Sequence, residues 1–315
     1  QGMKDSFEQR ALEEPRISIK RNVDVEHIRL NNSEYIRFNA RYNDVEIETL
    51  FDTGVSHYFF IQENLANEIG VRTIKMNQDS IQLLNGVPVK VFEAIIDSID
   101  LKAMKLYNAP VLVFRDRFTS NLSDSLSQDF RSNAETAFRD RQIIMGIPAM
   151  KLIGKFQFDW VNRTLSFPEK SEYIGSNDQS NIFLIHDNPY LRLKVNGLNY
   201  VGYLDSGSNA FLSMTFPFYE RNKDYIEIDA EAKKMSFNRY TLNGVVTNIP
   251  CRLTQNVEIY SVGRNINSTN HEVLVSNGSI SHINIFDGEL GAYLLKEMGS
   301  RTLVDFDNMK IKGLD

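Results

Sequence analysis

Hydrophobic residues in this chain gather in short runs rather than long periodic stretches. Segments 81–84, 87–92, 253–260 and 272–275 are rich in Val, Ile, Leu, Phe and Tyr and lie close to Asn, Gly, Asp or Ser, the pattern of β-strands closed by turns. Helical spacing is rarer. Segment 61–70 sets Ile61, Leu65 and Ile69 four residues apart and ends in Gly70, which predicts a helix with a glycine stop. Segments 149–153 and 294–298 read as short apolar helices, the first bracketed by Gly146 and Gly154, the second by Gly291 and Gly299. The pattern therefore predicts a mainly β chain with a few short helices.

The runs repeat. Residues 41–54 align with residues 194–207 at an offset of 153 (Asp52 to Asp205), and both read strand, turn, strand, Asp-Thr/Ser-Gly. The turns, Asn43-Asp44 and Asn196-Gly197, are pairs that tolerate positive φ in tight hairpins. Leu84-Asn85-Gly86-Val87 aligns with Leu242-Asn243-Gly244-Val245 at 158, and Val111-Leu112-Val113 with Val273-Leu274-Val275 at 162. Gly146 and Gly154 match Gly291 and Gly299 at 145. After each bracket stand an aspartate and an aromatic, Asp159-Trp160 and Asp305-Phe306. Anchors in one order with nearly constant offsets mean two copies of one unit, expected as lobes 1–175 and 176–315 joined by the polar stretch 169–180. The first copy is longer between Val113 and Gly146, and the excess, 115–142, is expected as solvated surface with Phe130, Ala134 and Phe138 on one helical face.

Composition narrows the function. Of 315 residues, 42% are hydrophobic and 24% charged, an ordinary globular balance. Thirty-five Lys and Arg against 41 Asp and Glu give a net charge of -6, which disfavours a nucleic-acid partner. A single cysteine, Cys251, leaves no internal disulfide and no thiolate metal site. No run approaches the roughly 18 apolar residues of a membrane span, and residues 1–5 lack a signal-peptide core, although a signal already removed stays open. The five histidines have no metal spacing. Serine-hydrolase, zincin and P-loop motifs are absent.

The candidate chemistry lies at the repeated triplet. One Asp-Ser/Thr-Gly is expected by chance roughly 0.1 to 0.2 times in such a chain, so it is the pairing at equivalent positions that carries meaning. Each aspartate follows two apolar strand residues, Leu50-Phe51 and Tyr203-Leu204, and each glycine lets the backbone bend behind it. If the copies pack about a pseudo-two-fold axis, Asp52 and Asp205 meet. Two carboxylates about 3 Å apart hold one proton between them and supply an acid and a base together.

On these residues the chain resembles the aspartic peptidases, in a two-lobed pepsin-like arrangement of retropepsin-like repeats. The resemblance rests on Phe51-Asp52-Thr53-Gly54-Val55-Ser56, Leu204-Asp205-Ser206-Gly207-Ser208-Asn209, Ile144-Met145-Gly146 and Glu289-Leu290-Gly291. It implies the mainly β, bilobal acid-protease fold, with Asp52 and Asp205 catalytic and the hydroxyls of Thr53 and Ser206 bonded across to the opposite loop. Ser56 stands where the family hydroxyl bonds the catalytic carboxylate, and Asn209 is a departure at that position. Glu289 departs too, since an apolar residue is usual there. The implied flap runs over 81–92 with Asn85-Gly86 at its tip and with Leu84, Asn85, Gly86 and Val87 as its substrate-binding residues, and it has no tyrosine. The resemblance implies a monomeric endopeptidase acting on polypeptide, with no cofactor and no metal, in an exported setting. Two alternatives stay open, an inactive relative that binds peptides or another surface, and an actin-like ATPase. The second lacks the long helices and extra lysine or glycine it needs. His57 is expected as a structural neighbour of the first loop.

Overall fold

The computed structural model describes residues 16–19, 28–82, 88–119, 127–168, 180–229, 235–241, 244–276 and 286–315; for 16–19, 75–82, 129–130, 238, 240–241 and 244–247 it describes the backbone alone. Strands dominate. In the first half the order across the sheet is Arg16–Ile19, Met104–Phe114, Phe59–Gln62, Gln142–Met145, Val45–Phe51, Arg37–Tyr42, Pro88–Asp100, Arg72–Gln82, and Pro88–Asp100 also pairs with Met104–Phe114, which curls the sheet on itself. In the second half the path runs Gly244–Gln255, Val273–Ser276, Leu212–Thr215, Gly288–Gly291, Leu198–Asp205, Asn188–Val195.

The two sheets share their directions as well as their order. Val45–Phe51 runs parallel to Gln142–Met145, and Leu198–Asp205 parallel to Gly288–Gly291. Phe59–Gln62 and Leu212–Thr215 are each parallel to one neighbour and antiparallel to the other. Phe51 faces Met145 and Leu204 faces Leu290, so even the register repeats. The molecule is mainly β and bilobal.

A third sheet joins the lobes, in the order Ile28–Arg29, Thr164–Ser166, Lys155–Asp159, Arg301–Asp305, Lys310–Leu314. At its centre Lys155 faces Asp305, Gln157 faces Leu303 and Asp159 faces Arg301. Taking Asp159 and Asp305 as equivalents, Gln157 and Leu303 are equivalents that pair with each other, the signature of a two-fold axis through the sheet. Lys155 and Asp305, both almost fully buried, form an ion pair of 3.3 Å. One continuous apolar core runs through both lobes, with Phe51 edge-on to Phe156 and Phe158.

Local expectations meet the structure with small differences. Asn43 and Asp44 both have positive φ, as do Asn196 and Gly197, as tight hairpin turns require. The first helix is Glu63–Ile69, two residues shorter at its start than the apolar spacing predicts, because Ile61 and Gln62 belong to the strand Phe59–Gln62. Gly70 closes it at φ 67, bonding back to Ala66 and Asn67. The other two short helices are Ile147–Ile153 and Ala292–Glu297. The extra segment contains the helix Gln128–Ala137, and its end is fastened rather than simply solvated. Fully buried Arg37 donates to the carbonyls of Thr136 and Ala137 at 2.8 and 2.7 Å, and Phe138 meets Phe118 edge-on. The Phe130 side chain, Gly175 and most of the linker lie outside what is described. Among the described residues no helix is long and apolar enough to cross a membrane.

Candidate active site

Asp52 and Asp205 end, or directly follow, the equivalent strands Val45–Phe51 and Leu198–Asp205, where a buried strand gives way to a turn. Asp52 N–H still bonds to the Met145 carbonyl, so the parallel neighbour fixes where the strand stops. Beneath the loops, Gly146 and Gly291 lie against backbone: an added Cβ would stand 2.2 Å from the His57 carbonyl oxygen in one copy and 2.2 Å from that of Ala210 in the other. Ile147 and Ala292 then donate to the carbonyls of Val55 and Ser208. Each apolar-apolar-Gly segment is thus the floor on which its loop rests.

The loops interlock through the residues after the aspartates. Thr53 Oγ1 donates to the Leu204 carbonyl and Ser206 Oγ to the Phe51 carbonyl, both at 2.8 Å. The same hydroxyls accept from the opposite backbone, Ser206 N–H to Thr53 Oγ1 at 2.9 Å and Thr53 N–H to Ser206 Oγ at 3.0 Å. Four bonds in a buried site, each contributing about 1 kcal/mol, hold the loops in one relative position. The two carboxyls lie against each other there, since a Cβ on Gly54 would stand 2.6 Å from Asp205 Oδ1 and 3.0 Å from Asp52 Oδ1.

Gly54 and Gly207 matter for space, not for a bend that needs positive φ, since neither has one. A Cβ on Gly54 would stand 2.6 Å from Asp205 Oδ1, and one on Gly207 2.3 Å from Asp52 Oδ2. Each glycine admits the opposite aspartate. Their N–H groups bind the acid of their own loop, Gly54 to Asp52 at 2.8 Å and Gly207 to Asp205 at 3.1 Å.

Electrostatics makes the pair unequal. Burial pushes Asp52 up to about 6, against the hydrogen bonds of Gly54, Asp205 and Gly207. Asp205 is pushed well above the ordinary carboxylate range by burial first, then by Asp52 and Glu289, with Arg239 opposing. Groups this close titrate as a pair and keep one proton over a broad range.

The remaining site residues fall differently. Ser56 is exposed, and among the described residues no bond joins it to Asp52, whose partners are backbone N–H groups and Asp205. Asn209 turns away from Asp205 and donates to Glu34 Oε2 of the first lobe at 3.0 Å. Lys296 adds to that contact by donating to the Ser33 carbonyl at 3.0 Å. Leu84, Asn85, Gly86 and Val87 lie outside the described residues. The stem is described: Gln82 faces Pro88 and Ile81 faces Val89. His57 is exposed and packs against the Phe60 ring at 5.2 Å.

Two residues at the site escaped the sequence reading. Tyr203 donates its hydroxyl to the Gly54 carbonyl at 3.2 Å, a third kind of bridge between the lobes. Arg239, from the strand Met235–Thr241, pairs with Glu289 and reaches to 3.8 Å from Asp205 Oδ2. Its signal was present, since an offset of 158 sets it opposite Ile81 and makes it a charge in an apolar position.

Two β lobes of one topology, joined at crossed Asp-Thr/Ser-Gly loops, define the bilobal acid-protease class of fold. A family model described as aspartyl protease matches residues 38–130, the stretch with the first loop and the first hairpin. An aspartic proteinase from Irpex lacteus is 13% identical over 91% of this chain and 96% of its own, with a TM-score of 0.48. A retropepsin-like aspartic protease from Rickettsia conorii is 16% identical over 49% of this chain and 91% of its own, at 0.28. EIAV protease complexed with the inhibitor HBY-793 is 21% identical over 36% and 90%, at 0.26. All three TM-scores lie below 0.5, and the fold class follows from strand order and the crossed loops instead. No curated protein matches the chain.

Proposed function

We propose that the chain is an aspartic endopeptidase with Asp52 and Asp205 as its catalytic pair. The observation that supports this reading most is the reciprocal crossing of Thr53 and Ser206, which holds the buried Asp52 and the part-buried Asp205 carboxyls together at the junction of the lobes. With one proton between them, the ionised carboxylate takes a proton from a bound water as its oxygen attacks the scissile carbonyl carbon. The protonated carboxyl polarises the carbonyl oxygen. The tetrahedral adduct then collapses as the C–N bond breaks, and the leaving nitrogen takes the proton that the carboxylate received from water, which returns the pair to one shared proton. No covalent enzyme intermediate forms, and the reaction calls for no cofactor or metal.

The substrate of this reading is an extended polypeptide lying between the lobes, under a flap formed by the first-lobe hairpin with Leu84 to Val87 at its tip. Thr53, Gly54, Ser206 and Gly207 support the pair; Ser56 and Asn209 act on it only through their loops. Both aspartates come from one chain, so the monomer is the active unit, with lobes divided near residue 175. An exported setting follows from the resemblance alone. The test is a peptide-library digest from about pH 3 to pH 8, run beside Asp52→Asn and Asp205→Asn. Cleavage by the parent and loss in both variants supports the reading. A parent that cleaves nothing and binds no statine-type mimic sinks it in favour of an inactive, peptide-binding relative.

A further inference from the structure

Two positions in the second lobe depart together from the first. Glu289 stands where the first copy has Ile144, at an offset of 145, and Arg239 where it has Ile81, at 158. Ile144 is fully buried, and the Glu289 and Arg239 side chains are only 6% and 14% exposed. Where one copy has two isoleucines, the other has an acid and a base paired with each other. A buried ion pair rarely stabilises a fold more than well-packed apolar side chains, because both ions shed water to form it. Stability alone does not account for the exchange.

The geometry around the pair is specific. Glu289 lies on the strand Gly288–Gly291, facing Tyr203 in the ladder, two residues before Gly291, which faces Asp205. Arg239 comes from the hairpin formed by Met235–Thr241 and Gly244–Gln255. That hairpin slips register between Phe237 and Arg239, and Asn248 on the facing strand takes φ 56. A bulge of this kind redirects the neighbouring side chain. Between Asp79 and Ile81 the first-lobe hairpin keeps its register. Arg239 therefore pairs with Glu289 while its Nη2 lies 3.8 Å from Asp205 Oδ2.

The ionisable groups facing Asp205 are Asp52 from the first loop, Glu289 from the adjacent strand, Arg239 from the hairpin and Tyr203 on its own strand. Asp52 faces Asp205 and Tyr203. The charged pair thus acts on one member of the dyad only. We propose that Arg239 and Glu289 are a positioning pair for the dyad: Glu289 seats the guanidinium beside Asp205 and at the same time draws off part of its field, so that together they set the pH range over which the two aspartates share one proton. The inference deepens the peptidase reading, on which the meaning of the shared proton rests.

The two members have opposite signs, and this separates the proposal from a plain structural tie. In Glu289→Gln the guanidinium faces Asp205 unopposed, so the dyad titrates about one pH unit lower; in Arg239→Met the unopposed Glu289 moves it about one unit higher. A variant carrying both Arg239→Ile and Glu289→Ile repeats the first-lobe pair and titrates between the two. The experiment follows the carboxyl carbons of Asp52 and Asp205 by NMR in the full chain with labelled aspartate, beside the pH profile of peptide cleavage. If Arg239→Met fails to fold, Glu289→Gln must still titrate below the double isoleucine variant. Single variants that move the titration in the same direction, or leave it in place, overturn the inference. The NMR readout needs no turnover. Opposite shifts in a chain that cleaves nothing keep the inference and sink the peptidase reading, whereas unmoved titrations in an active enzyme do the reverse.

Discussion

Thr53 and Ser206 each hold the other's loop. The Thr53 hydroxyl donates to the Leu204 carbonyl and accepts from Ser206 N–H, while the Ser206 hydroxyl donates to the Phe51 carbonyl and accepts from Thr53 N–H. Removing either hydroxyl leaves a buried carbonyl and a buried N–H without partners, at about 1–3 kcal/mol for each group. Thr53→Ala and Ser206→Ala are therefore each expected to lower stability by about 2–4 kcal/mol, discounting for relaxation of the loops. The double variant should cost less than the sum of the singles, because the first change already frees the loops. Thr53→Ser keeps the hydroxyl and should stay within about 1 kcal/mol of the parent. Denaturant unfolding of the parent and the four variants measures this, and strict additivity would count against the interlock.

Gly54→Ala and Gly207→Ala test the space between the carboxyls. The new Cβ falls 2.6 Å from Asp205 Oδ1 in the first variant and 2.3 Å from Asp52 Oδ2 in the second. Neither glycine has positive φ, so the backbone accepts alanine and the carboxyls have to part. We expect folded proteins whose kcat falls about 100-fold or more, as a displacement near 1 Å does in positioned chemistry. Full activity in either variant would show that the carboxyl contact is dispensable.

The dyad also gives a pH dependence of stability whose sign is fixed. Burial raises Asp52 from 3.8 to about 6, so the folded protein binds more protons than the unfolded chain between those values, and stability falls as pH rises through that window. Asp52→Asn loses this penalty, and Asp205→Asn loses the separate one that burial and the neighbouring Asp52 and Glu289 charges place on Asp205. Above about pH 6 Asp52→Asn should be more stable than the parent by on the order of 1–3 kcal/mol, with the gain vanishing below about pH 4, and Asp205→Asn should change stability in the same direction. Calorimetry at several pH values reads it directly. A parent that gained stability between about pH 4 and pH 6 relative to both variants would contradict the assignment of raised carboxyls.

Because each lobe supplies one aspartate, activity per mole should not change on dilution. Sedimentation over the same concentrations should show a single species of monomer mass. A specific activity that collapses together with a dimer-to-monomer shift would overturn the monomeric reading.

Lys296 links the helix Ala292–Glu297 to the first lobe through the Ser33 carbonyl, and burial lowers its pKa to about 8. The unfolded chain binds that proton more tightly, so this group adds stability as pH rises from about 8 towards 10.5. In Lys296→Met that alkaline increment should disappear, and thermal unfolding at about pH 7, 8.5 and 10 would detect it. A variant that keeps the parent's alkaline slope would place its origin elsewhere.

The sequence by itself determined the duplication, the β character and the two loops, while the crossing of the Thr53 and Ser206 hydroxyls was expected from the family resemblance alone. Each of these rests on local pattern: alternating apolar residues define strands, Asn-Asp and Asn-Gly define tight turns, and a repeat of such signals survives as a repeat in the fold. Offsets along the chain even aligned Ile144 with Glu289 and Ile81 with Arg239, although nothing in the sequence said that these two departures touch. Only the tertiary structure decided that. It also decided that Asn209 serves Glu34 rather than Asp205, that Ser56 faces solvent, and that Gly54 and Gly207 are needed for the acid of the other lobe. It fastened the extra helix to Arg37 as well. The physical reason is common to all of them. Strand and turn preferences act between residues a few positions apart, whereas a side chain that crosses from lobe to lobe, or from hairpin to strand, chooses its partner by distance and charge in the folded molecule, between residues separated by 50 to more than 170 positions in the chain.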